Sequence, residues 1–528
     1  MPSSSDSDAV SGATSVTAYD EVAYPGHAYP QTHPTRLAAI AQLLGVTPAN
    51  PTRCRVLELA CGDGINVISM GTALPESTFV GIDLASRAVA AGQELIDETG
   101  LTNVTLRAGD ASALSDELGT FDYVIAHGVY SWVDDTVRDG LIKSIRRHLA
   151  PNGIGYVSFS CFPGAYFRQL AREMMSFHAG KISEPTARLA QGIDFLRFAR
   201  EAHGLKSPYG LALEQEIARV TKADPGYVFH DDFSEHNTPV YFAEFAAHLA
   251  EHGLSYLADA TFDFFFDTRN SSAVRERLAK YAAGDRIAEQ QYLDFIRGTP
   301  FRQALICHAA QSGQATTGQF NALGLLPLFV RGAIQATTSE PNLQDRSKVC
   351  FKARTGPELE TDEPIAKALL FELSQAWPVP RRVSDLFDAA LARVQHPSYS
   401  PTSADDYPLR VLARTLLSGA AGQLFTLWSG ELSYAPRCGD LPLSSPLARA
   451  QARRSDLVTS LRNVTIRLAD RPARELLILA DGTRTREQLL QAIQARFADS
   501  SELGDLSFTL ETLDDTLQGL AERGFMLR

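Results

Sequence analysis

The run Val56-Leu-Glu-Leu-Ala-Cys-Gly-Asp-Gly64 narrows what this chain can fold into more than any other. Its β-branched and Leu-rich start, residues 56–59, reads as a buried parallel strand, and residues 65–74 read as the helix that follows. Gly62 and Gly64 sit between them, where a residue without a Cβ lets a nucleoside approach the backbone. Phe79-Val-Gly-Ile-Asp83 reads as a second strand ending in a carboxylate. Asp83 lies about 20 residues past the glycines, the distance at which an acid meets ribose hydroxyls in a nucleotide-binding βαβ unit. Glycines alone would be weak evidence. The ordered set carries the reading.

Glu58 narrows the ligand. A pyrophosphate site would not place a carboxylate on the first strand beside the phosphates, whereas a phosphate-free cationic ligand suits one. S-adenosylmethionine (AdoMet), with its ammonium and sulfonium charges, is such a ligand. The run resembles the first motif of the class I AdoMet-dependent methyltransferases, Glu/Asp-x-Gly-x-Gly-x-Gly. Glu58, Gly62 and Gly64 match it, and Ala60 takes the first glycine position. Residues 103–110 resemble that family's third strand, whose terminal acid, here Asp110, receives the adenine amino group. The resemblance implies a cofactor site of Glu58, Ala60, Gly62, Gly64, Asn66, Asp83, Leu84, Asp110, Ala111 and His127. For Asp83 and Asp110 the alternative is an acid at a strand end that only caps a helix.

The second half of the nucleotide fold follows on schedule. Residues 121–126 form a fourth apolar strand, leading into His127-Gly-Val-Tyr-Ser-Trp132. A helix over 133–149 carries Leu141, Ile142, Ile145 and Leu149 at helical spacing. Pro151-Asn-Gly153 is a turn and 154–159 a fifth strand. Methyl transfer from a sulfonium is an in-line displacement, so the protein mainly positions the nucleophile and excludes water. The loops after the fourth and fifth strands lie at the carboxyl edge of the sheet, where ligands bind in open α/β folds. The candidate catalytic residues are therefore His127, Tyr130 and Trp132, and Phe162 joins Tyr130 and Trp132 as an acceptor contact. A lysine acceptor must lose its proton, and aromatic rings stabilise the product ammonium by cation–π contact. Packing of the core is the alternative for the three aromatic residues. His127 reads equally as a general base, an adenine contact or a capped core histidine.

A narrower resemblance rests on four motifs in this order: Tyr24-Pro-Gly-His-Ala-Tyr-Pro-Gln-Thr-His-Pro34, His127-Gly-Val-Tyr-Ser-Trp132, Asn237-Thr-Pro-Val-Tyr-Phe-Ala-Glu-Phe245 and Phe301-Arg-Gln-Ala-Leu-Ile-Cys-His308. Together they look like the bacterial methyltransferases that carry a methyltransferase regulatory domain. That family includes protein-lysine methyltransferases acting on outer-membrane proteins. The resemblance covers the chain from about Tyr19 and implies a protein substrate with lysine as acceptor. Around Tyr-Pro-Gly the family usually has an Asn and a Trp; Ser160 and Ala165 stand here.

Pro239 suits the first turn of an amphipathic helix over 240–250, Gly253 ends it, and 254–258 alternates as a strand. The resemblance implies a sheet of seven strands, and this pattern matches its helix and sixth strand; residues 301–308 are then the candidate seventh, so the regulatory segment is expected to complete the catalytic sheet. Residues 165–238 become a helical insertion, with helices over 165–179 and 192–202, that covers the acceptor mouth or forms a dimer contact. The segment 24–34 reads as a lid over the cofactor with Tyr24 and His33 as substrate contacts, or as a Pro-rich arm packed on the sheet.

The fold expected is thus α/β: a Rossmann-like seven-stranded class I methyltransferase sheet with a helical insertion, followed by two winged-helix-like C-terminal modules. The divisions are 1–18 (disordered tail), 19–164 (AdoMet-binding core), 165–238 (insertion), 239–310 (completion of the sheet), 311–360 (linker), 361–440 (first module) and 441–528 (second module). In the second module the expected parts are helices over 467–480, 486–497 and 510–523, a turn at 481–484, and a short strand at 525–527. Its 12 Arg and no Lys stand against 12 Asp plus Glu. That neutrality disfavours nucleic acid and favours protein docking or dimerisation.

Composition sets the remaining limits. A length of 528 residues is too great for one core. The net charge of −13 also argues against sequence-independent nucleic-acid binding. The start, Met1-Pro-Ser-Ser-Ser-Asp-Ser-Asp, has neither a basic nor an apolar region, and no apolar run approaches the roughly 18 residues of a membrane span. Six cysteines without Cys-x-x-Cys spacing fit a reducing cytoplasm with no disulfide framework. His248 and His252 have metal-ligand spacing, but no Cys or carboxylate joins them at matching spacing, so no metal is expected. Besides a protein methyltransferase, the sequence leaves open a small-molecule methyltransferase and a non-catalytic AdoMet-binding adaptor.

Overall fold

The computed structural model describes residues 26–262, 270–312, 320–395, 406–432, 434–497 and 509–527. The expected tail and Tyr24 lie outside the described residues. Seven strands form one sheet: β1 (Arg55–Leu59), β2 (Thr78–Asp83), β3 (Val104–Ala108), β4 (Phe121–Ala126), β5 (Leu149–Ser160), β6 (Leu254–Asp259) and β7 (Phe301–His308). Their order is β3-β2-β1-β4-β5-β7-β6. The first five run parallel, and β7 is antiparallel to both β5 and β6. This order puts the carboxyl ends of β1, β2, β4 and β5 along one edge, with the strand order reversing at β1.

Both faces of the sheet are covered, and the two-residue period of a strand sorts its side chains between two cores. Val56, Tyr123, Ile125, Leu305 and Cys307 join one core with the Pro34–Leu43 and Ile65–Ala73 helices. Leu57, Leu59, Val124, Ala126 and Ile306 join the other, with Leu141, Ile142 and Ile145 of the Asp135–His148 helix and Phe245 and Leu249 of the Phe242–Glu251 helix. Glu58 shares its face with Val56 and is 3% exposed.

The regulatory segment completes the catalytic sheet, as the resemblance implies. Its anchor is Arg302 on β7, whose guanidinium pairs with Asp294 (2.8 Å) and Asp259 (2.8 Å) and lies 4.5 Å from the Phe242 ring centroid. Arg302 and Asp294 are 3% and 1% exposed. The insertion is helical, as expected, and holds four helices: Ala165–Ala179, Pro185–His203, Pro208–Lys222 and Pro225–Asp232. The last three open on a proline after a capping Glu184, Ser207 or Asp224, the arrangement a helix start favours. They enclose a small core of their own, including Met175, Leu196, Leu213 and Val228.

The segment 311–360, expected as a linker, contains strands instead. β8 (Phe329–Arg331) pairs with β12 (Arg381–Arg382) and β13 (Thr426–Trp428), so the first winged-helix-like module takes a strand from upstream of residue 361. β9 (Ile334–Ala336), β10 (Val349–Ala353) and β11 (Glu358–Thr361) make an antiparallel meander beside it. Strands of three to five residues with alternate polar positions leave little periodic signal. In the second module the helix expected from residue 467 starts at Arg471, because Val464–Arg467 is β15, paired with β14 (Leu457–Ser460). The helices Arg471–Leu479, Arg486–Arg496 and Leu510–Glu522 lie where expected, and Met526 and Leu527 bridge to Ser444 and Tyr434. Among the described residues, no helix is long and apolar enough to cross a membrane.

Replacing Arg302 by Met leaves the Asp294 carboxylate buried and unpaired. The expected loss is about 3–5 kcal/mol of stability, measured as a shift in the urea midpoint of the transition that reports the sheet.

Candidate active site

The turn after β1 is built from left-handed backbone. Ala60, Gly62 and Gly64 have φ of 56°, 59° and 72°. Ala60 therefore keeps the conformation of the motif's first glycine despite its Cβ. The two glycines serve different needs. A Cβ on Gly64 would lie 2.6 Å from Leu106, whereas one on Gly62 would meet no atom within 4 Å. Gly62 thus opens onto free space at the carboxyl end of β1, on the side from which a ligand approaches. Asp83, at the end of β2, holds this turn: its Oδ2 accepts the Gly62 N–H (2.7 Å) and its Oδ1 the Ala85 N–H (2.8 Å). Asp110 caps its own turn, accepting from the Ser112 N–H (2.8 Å) and hydroxyl (2.7 Å). Leu84 is 64% exposed beside Asp83, and Ala111 packs at the rim of the second core.

Glu58 lies behind the turn. Its Oε1 accepts from Asn66 Nδ2 (2.9 Å), while Oε2 is buried without a hydrogen-bond partner. Burial pushes its pKa up to about 8, opposed by the Asn66 hydrogen bond and reinforced by Asp63 and Asp83. Asp63, between the two glycines, is pushed up to about 6, again chiefly by burial. A buried carboxylate with one orphaned oxygen calls for a cationic or protonated partner. The ammonium of AdoMet fits that demand, and the glycine turn and Asp83 fit its nucleoside. Asn66 itself is engaged by the protein, since Nδ2 also donates to Thr32 Oγ1 (3.0 Å) and Oδ1 accepts the Tyr29 N–H (2.9 Å).

The loop after β4 divides its candidates. The His127 ring lies against that of Tyr29, with centroids 3.9 Å apart, and its Nδ1 is within hydrogen-bond range of Tyr156 Oη (3.0 Å) and Ser158 Oγ (3.1 Å). Burial lowers its pKa to about 4, so the imidazole is neutral at physiological pH and a weak base. Trp132 meets Phe301 edge-on at 6.5 Å, with its Nε1 buried and unpaired. Tyr130 turns the other way, into the second core between Phe159 and Phe245, and its hydroxyl meets His248 Nδ1 (2.9 Å). Packing therefore accounts for Tyr130. Phe162 stacks on Tyr166 (4.2 Å) and faces Tyr241 (5.4 Å), and the two tyrosine hydroxyls are 3.0 Å apart. Phe295 extends this second aromatic group 5.9 Å from Tyr241.

His33 is a helix cap. Its Nδ1 accepts from the Thr35 N–H (3.3 Å) at the start of the Pro34–Leu43 helix, and burial lowers its pKa to about 4. His248 and His252 meet a carboxylate from a facing helix: Asp139, from the Asp135–His148 helix, lies 2.7 Å from His252 Nε2 and 3.5 Å from His248 Nε2. The three possible ligand atoms fall within 4.8 Å of one another, and Lys143 holds the other Asp139 oxygen (2.6 Å). Tyr29, Thr32, Asp63 and Asn463 complete the surroundings of Glu58 without having been singled out in the sequence. Tyr29 and Thr32 lie inside the 24–34 motif and Asp63 inside the 56–64 run, and only Asn463 had no local signal.

The family described as "Methyltransferase domain" matches residues 56–153, "Predicted methyltransferase regulatory domain" matches 224–308, and "PKMT, C-terminal winged helix domain" matches 440–524. The uncharacterized protein RP028 of Rickettsia prowazekii is 32% identical over 233 residues, covering 44% of this chain and 93% of that protein. RP789 of the same organism is 30% identical over 364 residues, covering 68% of this chain. The match spans 65% of RP789, somewhat less than two thirds of its length. Among solved structures, PKMT2 from Rickettsia typhi in complex with AdoHcy superposes with a TM-score of 0.80 over 95% of this chain and 99% of that one, at 24% identity. The chain belongs to the class I methyltransferases that carry a methyltransferase regulatory domain and a PKMT-type C-terminal winged helix.

Proposed function

We propose that this chain transfers the methyl group of AdoMet to a protein side chain, with lysine the favoured acceptor. The observation that carries the proposal is the orphaned Glu58 oxygen behind a glycine turn that opens onto free space. AdoMet, when bound, supplies an electrophilic methyl on a sulfonium. On this reading Glu58 binds the ammonium, Asp83 the ribose hydroxyls and Asp110 the adenine amino group. Ala60, Gly62 and Gly64 shape the turn, and Asn66 orients Glu58. Tyr29 and His127 close one wall and exclude water. His127, neutral and weakly basic, adds no charge to that wall and leaves the acceptor lysine to lose its proton to solvent. Trp132 and Phe301 flank the acceptor side.

The macromolecular acceptor is favoured over an enclosed metabolite by the aromatic rim. Tyr166 and Phe295 are 52% and 51% exposed next to Phe162 and Tyr241, an open surface rather than a closed chamber. An appended neutral winged helix also suits protein docking. Incubating the chain with methyl-labelled AdoMet and a cell lysate tests this reading, with Gly62→Arg as the inactive control. Label recovered from protein as methyl-lysine is the expected result. Label confined to small molecules would refute the protein acceptor, and no transfer above the control would leave an AdoMet-binding adaptor.

Two further outcomes concern the cofactor. Asp83→Asn removes a charged acceptor from the ribose and should weaken AdoMet binding roughly 10–100-fold, as read by calorimetry. The second is a pH dependence. Glu58 has its pKa raised to about 8 in the free chain, so it is mostly protonated at pH 7 and must release a proton to meet an ammonium. AdoMet affinity should therefore rise, by up to about tenfold per pH unit, from pH 6 towards pH 8. Above about pH 8 it should fall again as the α-amino group of AdoMet loses its own proton. Calorimetry at pH 7 in buffers of different ionisation enthalpy should detect proton release, and a flat profile would remove Glu58 from the ammonium site.

A further inference from the structure

The hairpin of the C-terminal module ends at the cofactor cleft. β14 and β15 are joined through residues 461–463, and Asn463 is fully buried with a left-handed backbone, φ 56°. Asparagine is among the few residues that adopt this region readily. The Asn463 N–H donates to Ser460 O (3.0 Å) and closes the turn, which leaves the carboxamide to act outside the module. Its Nδ2 donates to Tyr29 O (3.0 Å) and to Asn66 Oδ1 (3.0 Å), 434 and 397 positions away along the chain.

Both acceptors belong to the cofactor site. Asn66 has a directional role because its two ends meet different groups. Oδ1 receives the N–H groups of Tyr29 and Asn463, and Nδ2 donates to Glu58 and Thr32. A flipped Asn66 would set its oxygen against the Glu58 carboxyl and its hydrogens against two donors. Asn463 thereby helps decide which end of Asn66 faces Glu58. Through Tyr29 it also reaches the opposite wall, where that ring lies on His127. The same hairpin is docked on the core by Ala28 N–H to Thr465 Oγ1 (3.0 Å) and Ser69 Oγ to Ser460 O (3.4 Å). Arg453 and Arg454, just before it, pair with Glu98 on the Ser86–Thr99 helix.

We infer that the AdoMet site is completed by the C-terminal winged-helix module, with Asn463 as a positioning residue that orients Asn66 against Glu58 and fixes Tyr29 over His127. The inference rests on the reading of this cleft as an AdoMet site. Linkage makes it reciprocal: a docked hairpin raises cofactor affinity, and bound cofactor tightens the hairpin.

Asn463→Gly in the full-length chain keeps the left-handed turn and removes the carboxamide. Its Kd for AdoMet should rise about tenfold, the size of one to two net hydrogen bonds. The KM for AdoMet should rise with it while kcat stays within about threefold, since the contact acts on cofactor binding and not on the acceptor. A role confined to stability would lower the melting temperature and leave both constants unchanged at temperatures where the chain is folded. Wild-type chain supplies an independent readout, in which AdoMet should slow amide hydrogen exchange in residues 457–467. Equal Kd in Asn463→Gly and wild type, or exchange in the hairpin indifferent to AdoMet, overturns the inference. Failure of the wild-type chain itself to bind AdoMet overturns the underlying cofactor reading instead.

Discussion

A carboxylate buried at the end of a central strand is costly unless something cationic or protonated meets it, and Glu58 is such a group. Its neighbours meet only one oxygen. Around it are a glycine turn that gives up side-chain volume, a second acid that holds the turn from β2, and an asparagine whose amide is pinned at both ends. The site is best read as organised for a ligand that brings positive charge without phosphate. Much of the surrounding structure serves to place this one group, since the sheet order sets β1 between β2 and β4 and the strand period turns Glu58 towards the Ile65–Ala73 helix.

Parts far apart in sequence meet there. The segment around Tyr29 closes the cleft from the N-terminal side, the turn after β1 forms its floor, and the hairpin tip at Asn463 locks both from the C-terminal module. The regulatory segment acts at the other edge. It supplies β6 and β7 to the same sheet, and β7 carries Phe301, which meets Trp132 edge-on on the proposed acceptor side. Its Arg302, buried among Asp259, Asp294 and the Phe242 ring, ties the added strands to the helices around them. On this view, "regulatory" describes a completing part of the catalytic fold.

The glycine turn and the strands that carry it were legible in the sequence because their determinants are local. A left-handed turn needs glycine or a tolerated alanine, a parallel strand needs an apolar run, and an acid at a strand end falls at a known interval. The sixth strand was legible from the alternation of residues 254–258, and the seventh, 301–308, from the seven-stranded family pattern that it continues. The loop after β4 was less so. Whether Tyr130 faces the cleft or the core depends on the path of the loop and on Phe159 and Phe245, which sequence spacing does not encode. His33 lay in the right segment but serves as a cap. The strands within 311–360 escaped notice because each is too short to show a period. Asp139 joins His248 and His252 from a facing helix, more than a hundred residues away, and Asn463 reaches Asn66 across 397. Contacts of that kind arise only once the domains have packed.

Whether Glu58 meets an ammonium is tested most directly by a paired calorimetric titration. The chain would be titrated with S-adenosylhomocysteine and with the same molecule lacking its α-amino group. A charge-assisted hydrogen bond to a buried carboxylate predicts that the deaminated compound binds roughly 10–100-fold more weakly. Equal affinity for the two would contradict the assignment of Glu58 and the cofactor geometry built on it.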